Sequence, residues 1–170
     1  MPDPNVEPYI EPWMRGPIPG IESLVAPVFY SFAMVREDLA KFTAGVQPDD
    51  VWRQVGTLPT LGFHLRHIAG SSDRLATYLM GGELTPEQLA YMKAEGVPGA
   101  TLEELLAGVN RGLHSVEERI LTIDPVTIHE PRFIGRKRLP TTVLGLLVHI
   151  AEHAQRHLGQ AITTAKLLKG

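Results

Sequence analysis

Histidine is the residue whose number and spacing in this 170-residue chain best suit chemistry. There are seven: His64, His67, His114, His129, His149, His153 and His157. Three of them recur at every fourth position, in the run His149-Ile-Ala-Glu-His153-Ala-Gln-Arg-His157. On an α-helix a step of four rotates the stripe by only about 40° and leaves neighbouring Cβ atoms about 5–6 Å apart. Two imidazoles at that spacing can share one ion. His149 and His157 lie two turns apart and can share a metal only through His153, so His153 belongs to either pair. Cysteine is absent, which excludes disulfides, thiolate catalysis by the protein, Cys-ligated zinc and iron–sulfur clusters. Any metal is therefore expected on nitrogen and oxygen.

The helical wheel ranks the three. Val143, Leu146, Ile150, Ala154, Ala161 and Leu168 mark the inward side of the last helix. His157 lies nearest the centre of that side, His153 next, and His149 toward the polar flank. A ligand in a helical bundle must point inward, because the site is assembled from facing helices. The pair His153 and His157 is favoured. A third ligand should come from the second helix, where Leu61, Ile68, Leu75 and Leu79 place His64 closer to the buried side than His67. His114 and His129 have no partner in sight, on the third long helix and in a loop. The segment His149-Ile-Ala-Glu152-His153 also matches the inverted zinc-protease signature, with Glu152 as base. That reading needs the least inward histidine as a ligand and is set aside.

The elements that must position these residues are helices. Residues 1–20 hold six of the fourteen prolines, with Tyr9 and Trp13 among them, and should form an extended arm. The bundle is expected to occupy 21–170. Val28, Phe32, Val35, Leu39 and Phe42 define one face of a first helix, with Pro27 in its first turn. A second helix spans about 60–80 and stops at Gly81-Gly82. Thr85-Pro86-Glu87-Gln88 is a capping box that opens a short helix to about Glu95. Thr101 and Glu104 repeat the signature before a third long helix, with Leu102, Leu105, Val109, Leu113, Val116 and Ile120 on its apolar face. Asp124-Pro125 ends it. After a loop of about fifteen residues, Pro140-Thr141 opens the fourth long helix. No segment alternates as a strand should. Four long amphipathic helices imply an all-α four-helix bundle, with long connections at 81–100 and 124–139 as the places for a lid or substrate entrance.

Composition excludes other classes. A net charge of -3 and scattered basic residues, apart from Arg136-Lys137-Arg138, give nucleic acid no electrostatic footprint. The longest apolar stretch is far below the roughly 20 residues needed to cross a bilayer, and no membrane partner is expected. The polar, proline-rich start differs from a signal peptide, so a cytoplasmic protein is expected.

Two segments carry a resemblance. Gly62-Phe-His-Leu-Arg-His67-Ile-Ala-Gly-Ser-Ser-Asp-Arg74-Leu, with His149-Ile-Ala-Glu-His153-Ala-Gln-Arg-His157-Leu-Gly-Gln160, resembles the DinB-like (YfiT-like) superfamily over nearly the whole chain. The resemblance implies a four-helix bundle with a metal held by one histidine of helix 2 and two of the last helix. By that pattern His67, followed by Ile-Ala, joins His153 and His157, against the wheel's choice of His64. His64, Glu152 and Gln160 then become near-site candidates, and the resemblance identifies no catalytic acid or base. It also implies a thiol-dependent transferase or related enzyme using a low-molecular-weight thiol, with zinc or nickel in the site. The alternative is a non-enzymatic, stress-associated bundle braced by its metal. Dimerisation is common in such bundles, and Tyr9 and Trp13 offer apolar surface for docking either on the chain's own bundle or on a second copy, as a homodimer. Ligation requires neutral imidazole, so metal binding should weaken below about pH 6.

Overall fold

A computed structural model describes residues 9–170. Its helices are α1 (Ala26–Thr43), α2 (Leu61–Leu79), α3 (Pro86–Ala94), α4 (Leu102–Ile120) and α5 (Val143–Lys169). A two-stranded hairpin, β1 (Pro131–Ile134) and β2 (Leu139–Thr142), precedes α5. The four long helices form the bundle. Helix α2 packs against both α4 and α5, α5 also packs along α1, and α1 meets α4 more thinly. Among the described residues no helix is long and apolar enough to cross a membrane.

Helical periodicity explains the core. The inward positions Val143, Leu146, Ile150, Ala154, Ala161 and Leu168 of α5 are all buried. So are Leu105, Val109, Leu113, Val116 and Ile120 of α4. On α1, Val28, Phe32, Val35 and Leu39 are buried, whereas Phe42 is half-exposed and Thr43 takes the inward place. Thr43 satisfies its hydroxyl on the Leu39 carbonyl one turn back, so its burial leaves no orphan. The helix starts follow their caps. Thr85 and Thr101 accept from the backbone N–H groups of Gln88 and Glu104, whose side chains accept in return from the cap N–H groups. Thr60 and Thr142 cap α2 and α5.

Two expectations for the link before α5 need correction. Instead of an irregular loop, residues 131–142 pair antiparallel, with Phe133 opposite Pro140 and Ile134 opposite Leu139. Four-residue strands are too short to show a period. Pro140, which has no N–H to donate, sits in a two-stranded ribbon where a strand edge tolerates it. Pro140 and Thr141 therefore belong to β2, and α5 begins after Thr142. Gly135 (φ +65°) and Arg138 (φ +48°) turn the hairpin in the left-handed region.

The expected arm lies partly outside the described residues. Its visible part docks on its own chain, where the Tyr9 hydroxyl donates to Glu37 of α1 and Arg15 forms two bonds with the same carboxylate. Residues Pro12–Met14 form a 3-10 turn rather than extended chain, and the Trp13 ring remains exposed.

Candidate metal centre

Helices α2 and α5 bring three imidazoles together. One ring nitrogen each from His67, His153 and His157 lies within 4.8 Å of the other two. The Nε2 atoms of His67 and His153 are 3.1 Å apart, and the ring centroids of His67 and His157 are 4.2 Å apart. Two nitrogens each about 2.0–2.1 Å from one ion, at tetrahedral to octahedral angles, stand about 2.9–3.4 Å apart. The His67–His153 spacing falls in that range. The three side chains are half-buried, and His67 retains 19% of its exposure, so the cluster is reachable from outside.

His67 is aimed by a residue that the sequence reading did not single out. Glu95, the C-cap of α3, is 3% exposed; its Oε2 lies 2.6 Å from His67 Nδ1 and its Oε1 accepts from Arg74 at 2.7 Å. A carboxylate only accepts, so Nδ1 carries the proton and the Nε2 lone pair faces His153. Gly70 makes this possible, because a Cβ there would lie 2.7 Å from Glu95 Oε1 and 2.6 Å from the Tyr91 ring. Arg74 lies within the segment that carried the resemblance; Glu95 lies outside it, 28 residues from the ring it holds.

Burial sets the charge state of the cluster. Desolvation, then the neighbouring His67, lowers the pKa of both His153 and His157 to about 4. Both rings are neutral at physiological pH, which is the form that ligates. His153 Nδ1 is one of two buried side-chain polar atoms without a hydrogen-bond partner among the described residues; the other is Ser71 Oγ, one turn beyond His67. His153 and His157, kept neutral beside His67, present lone pairs rather than charge to the space between α2 and α5, which suits a cation.

The remaining candidates separate. His64 is 1% exposed, as the wheel implies, and lies deeper than His67; its Nδ1 is 3.4 Å from His157 Nδ1, a long contact. Desolvation, with a contribution from His67, lowers its pKa to about 4 as well. His64 and Gln160 both line a cleft of about 270 Å³ that also includes Arg156 and Thr163. Glu152 does not reach the cluster. It pairs with His149 at 3.0 Å and Arg156 at 2.6 Å on the outer face of α5, which also removes the geometric basis of the inverted protease motif. His114 and His129 are exposed, and His114 approaches only the acids of its own helix.

The comparisons agree with this architecture. Comparison with curated proteins finds no match. Residues 31–161, from α1 into α5 and including all three clustered histidines, match the model of the DinB superfamily. With most of its length so matched, and the bundle built as described, the chain belongs to the DinB superfamily.

Proposed function

We propose that His67, His153 and His157 hold a divalent metal ion and that the protein is a metal-dependent enzyme. One observation carries the reading: three imidazoles from two helices converge within 4.8 Å, burial keeps His153 and His157 neutral, and a buried carboxylate aims His67 Nε2 at His153. Imidazole donors without thiolate or carboxylate suit zinc, nickel, copper and iron, and of these we favour zinc or nickel. Three protein ligands leave coordination positions free, the arrangement of catalytic rather than structural sites.

When bound, such a metal polarises a ligated water or thiol and lowers its pKa. The chain's own residues shape what reaches it. Glu95 and Arg74 fix the His67 ring from behind. His64, neutral and buried, stands between His157 and the cleft that Arg156 and Gln160 line. The reaction we favour is transfer involving a low-molecular-weight thiol, supported by the resemblance of both histidine segments; with no cysteine in the chain, the sulfur would come from the cosubstrate.

The second reading is a metal-braced bundle without activity. The cleft beside the cluster and the partial exposure of His67 favour the enzyme. Elemental analysis of purified protein, beside a His153→Ala variant, tests the site. About one zinc or nickel per chain in the first and none in the second is expected; equal content in both refutes the ligand set. A panel of small thiols and electrophiles tests the chemistry, and turnover independent of His153 would sink it.

A further inference from the structure

A larger cavity, of about 480 Å³, lies between α2, α3 and α4, away from α5. Small residues on α4 create it. At Gly112 a Cβ would stand 3.1 Å from the Ala69 Cβ, so α2 and α4 touch there. One turn earlier, at Gly108, a Cβ would meet no atom within 4 Å. The helices close at one level and leave room at the next, with Tyr91 of α3 and Leu105 of α4 as apolar walls. The volume falls within the usual range for small-molecule sites, about 300–1,000 Å³.

Charge selects the ligand class. Most ionic groups bordering the cavity are already engaged. Asp73 pairs with Arg119 and accepts from Gln88, and Arg74 pairs with Glu95. Arg66 donates to the carbonyls of Ala94 and Val97 while covering the Trp52 ring. Glu104 accepts from the Thr101 N–H, and Glu87 is stabilised as an anion by its own backbone N–H and by Thr85. Arg111 borders the cavity and forms no hydrogen bond or ion pair among the described residues. Burial, then the Glu95 carboxylate, raises the Tyr91 phenol's pKa, while Arg66, Arg74 and Arg111 lie close enough to act in the opposite direction.

We propose that this cavity binds a small organic carboxylate with a flat apolar body, its ring against Tyr91 and Leu105 over Gly108 and its carboxylate on Arg111. The guanidinium fork offers two parallel donors to a carboxylate. The site is separate from the histidine cluster and does not require the metal.

Calorimetric titration of 2-naphthoate into metal-free full-length protein tests it, with neutral 2-naphthamide as comparator. Removing the metal prevents the carboxylate from binding there instead, so the result stands apart from the fate of the metal proposal. Saturable binding at one per chain is expected, with a dissociation constant on the order of 0.1 mM. It should persist in His153→Ala, weaken at least about tenfold in Arg111→Gln and for the amide, and vanish in Gly108→Leu. Neither cavity variant removes a contact, and Gly108→Leu replaces a helix-interior glycine, so both should fold. Absence of saturation, equal binding of the amide, or a Gly108→Leu protein that binds normally would overturn the proposal.

Discussion

Replacing Glu95 by glutamine tests how the His67 ring is aimed. In the native protein two donors, His67 Nδ1 at 2.6 Å and Arg74 at 2.7 Å, converge on one carboxylate. Glutamine offers one acceptor and one donor group. If its carbonyl stays on Arg74, the amide N–H faces Nδ1, the ring proton moves to Nε2, and the lone pair needed for ligation is lost. If the amide flips, its N–H group meets a guanidinium whose side chain is only 9% exposed. The first route opposes ligation, because metal binding would return the proton to Nδ1 against the amide N–H; the second leaves a buried donor unpaired and costs folding stability, each by about 1–3 kcal/mol. Loss of a carboxylate behind a ligating histidine typically lowers metal affinity about 10–100-fold, or about 1.4–2.7 kcal/mol, and that is the fall expected here. The assay is competition for zinc against a chromophoric chelator at neutral pH, with Glu152→Gln alongside. Glu152 touches His149 and Arg156 but not the cluster, so its variant should stay within about twofold of the parent. A Glu95→Gln protein that keeps native helicity and binds zinc within about twofold of the parent would refute the reasoning.

Acid should destabilise the metal-free protein in a defined window. His64, His153 and His157 have folded pKa values lowered to about 4, whereas the unfolded chain takes up those protons near the ordinary value of 6.5. Their contribution to stability is present above that value and is lost as pH falls toward about 4; the melting temperature should track it, and a His64→Leu variant should show a shallower decline. A flat profile across this range would contradict the assignment. The same low values move proton competition for His153 and His157 below the pH 6 region expected of ordinary imidazoles. Gly62→Ala should destabilise by about 1–3 kcal/mol in denaturant unfolding, because its Cβ would stand 2.7 Å from the Trp52 ring. Leu113→Ala, at a fully buried position of α4, should cost about 2–5 kcal/mol by the same measurement.

Much of the bundle is legible because burial on a helix repeats with the helix. The six inward residues of α5 and both capping boxes follow from side-chain type and spacing alone. The cluster is legible in part. His153 and His157 stand out by position, but the wheel ranks His64 above His67, and burial agrees with it. What the wheel misses is that deeper is not closer: His64 lies below the cluster, while His67 lies at its level and faces α5. Glu95 leaves no local signal, since a carboxylate after a short polar helix looks solvated until α3 folds across Gly70. The hairpin escapes for a different reason. Its strands are shorter than the window in which alternation can be recognised.

Helix α3 buries none of its own residues from Pro86 to Ala94. It is held by the Glu95 carboxylate, by Gln88 on Asp73 and Thr77, and by Arg66 gripping the carbonyl of Ala94, its last residue. A segment so attached should open locally well before the bundle unfolds. Each opening would withdraw the carboxylate from His67, so metal retention and the closed state of this segment must favour each other. Slower amide hydrogen exchange in α3 on zinc loading, and faster zinc release whenever its docking is weakened, are two faces of one equilibrium.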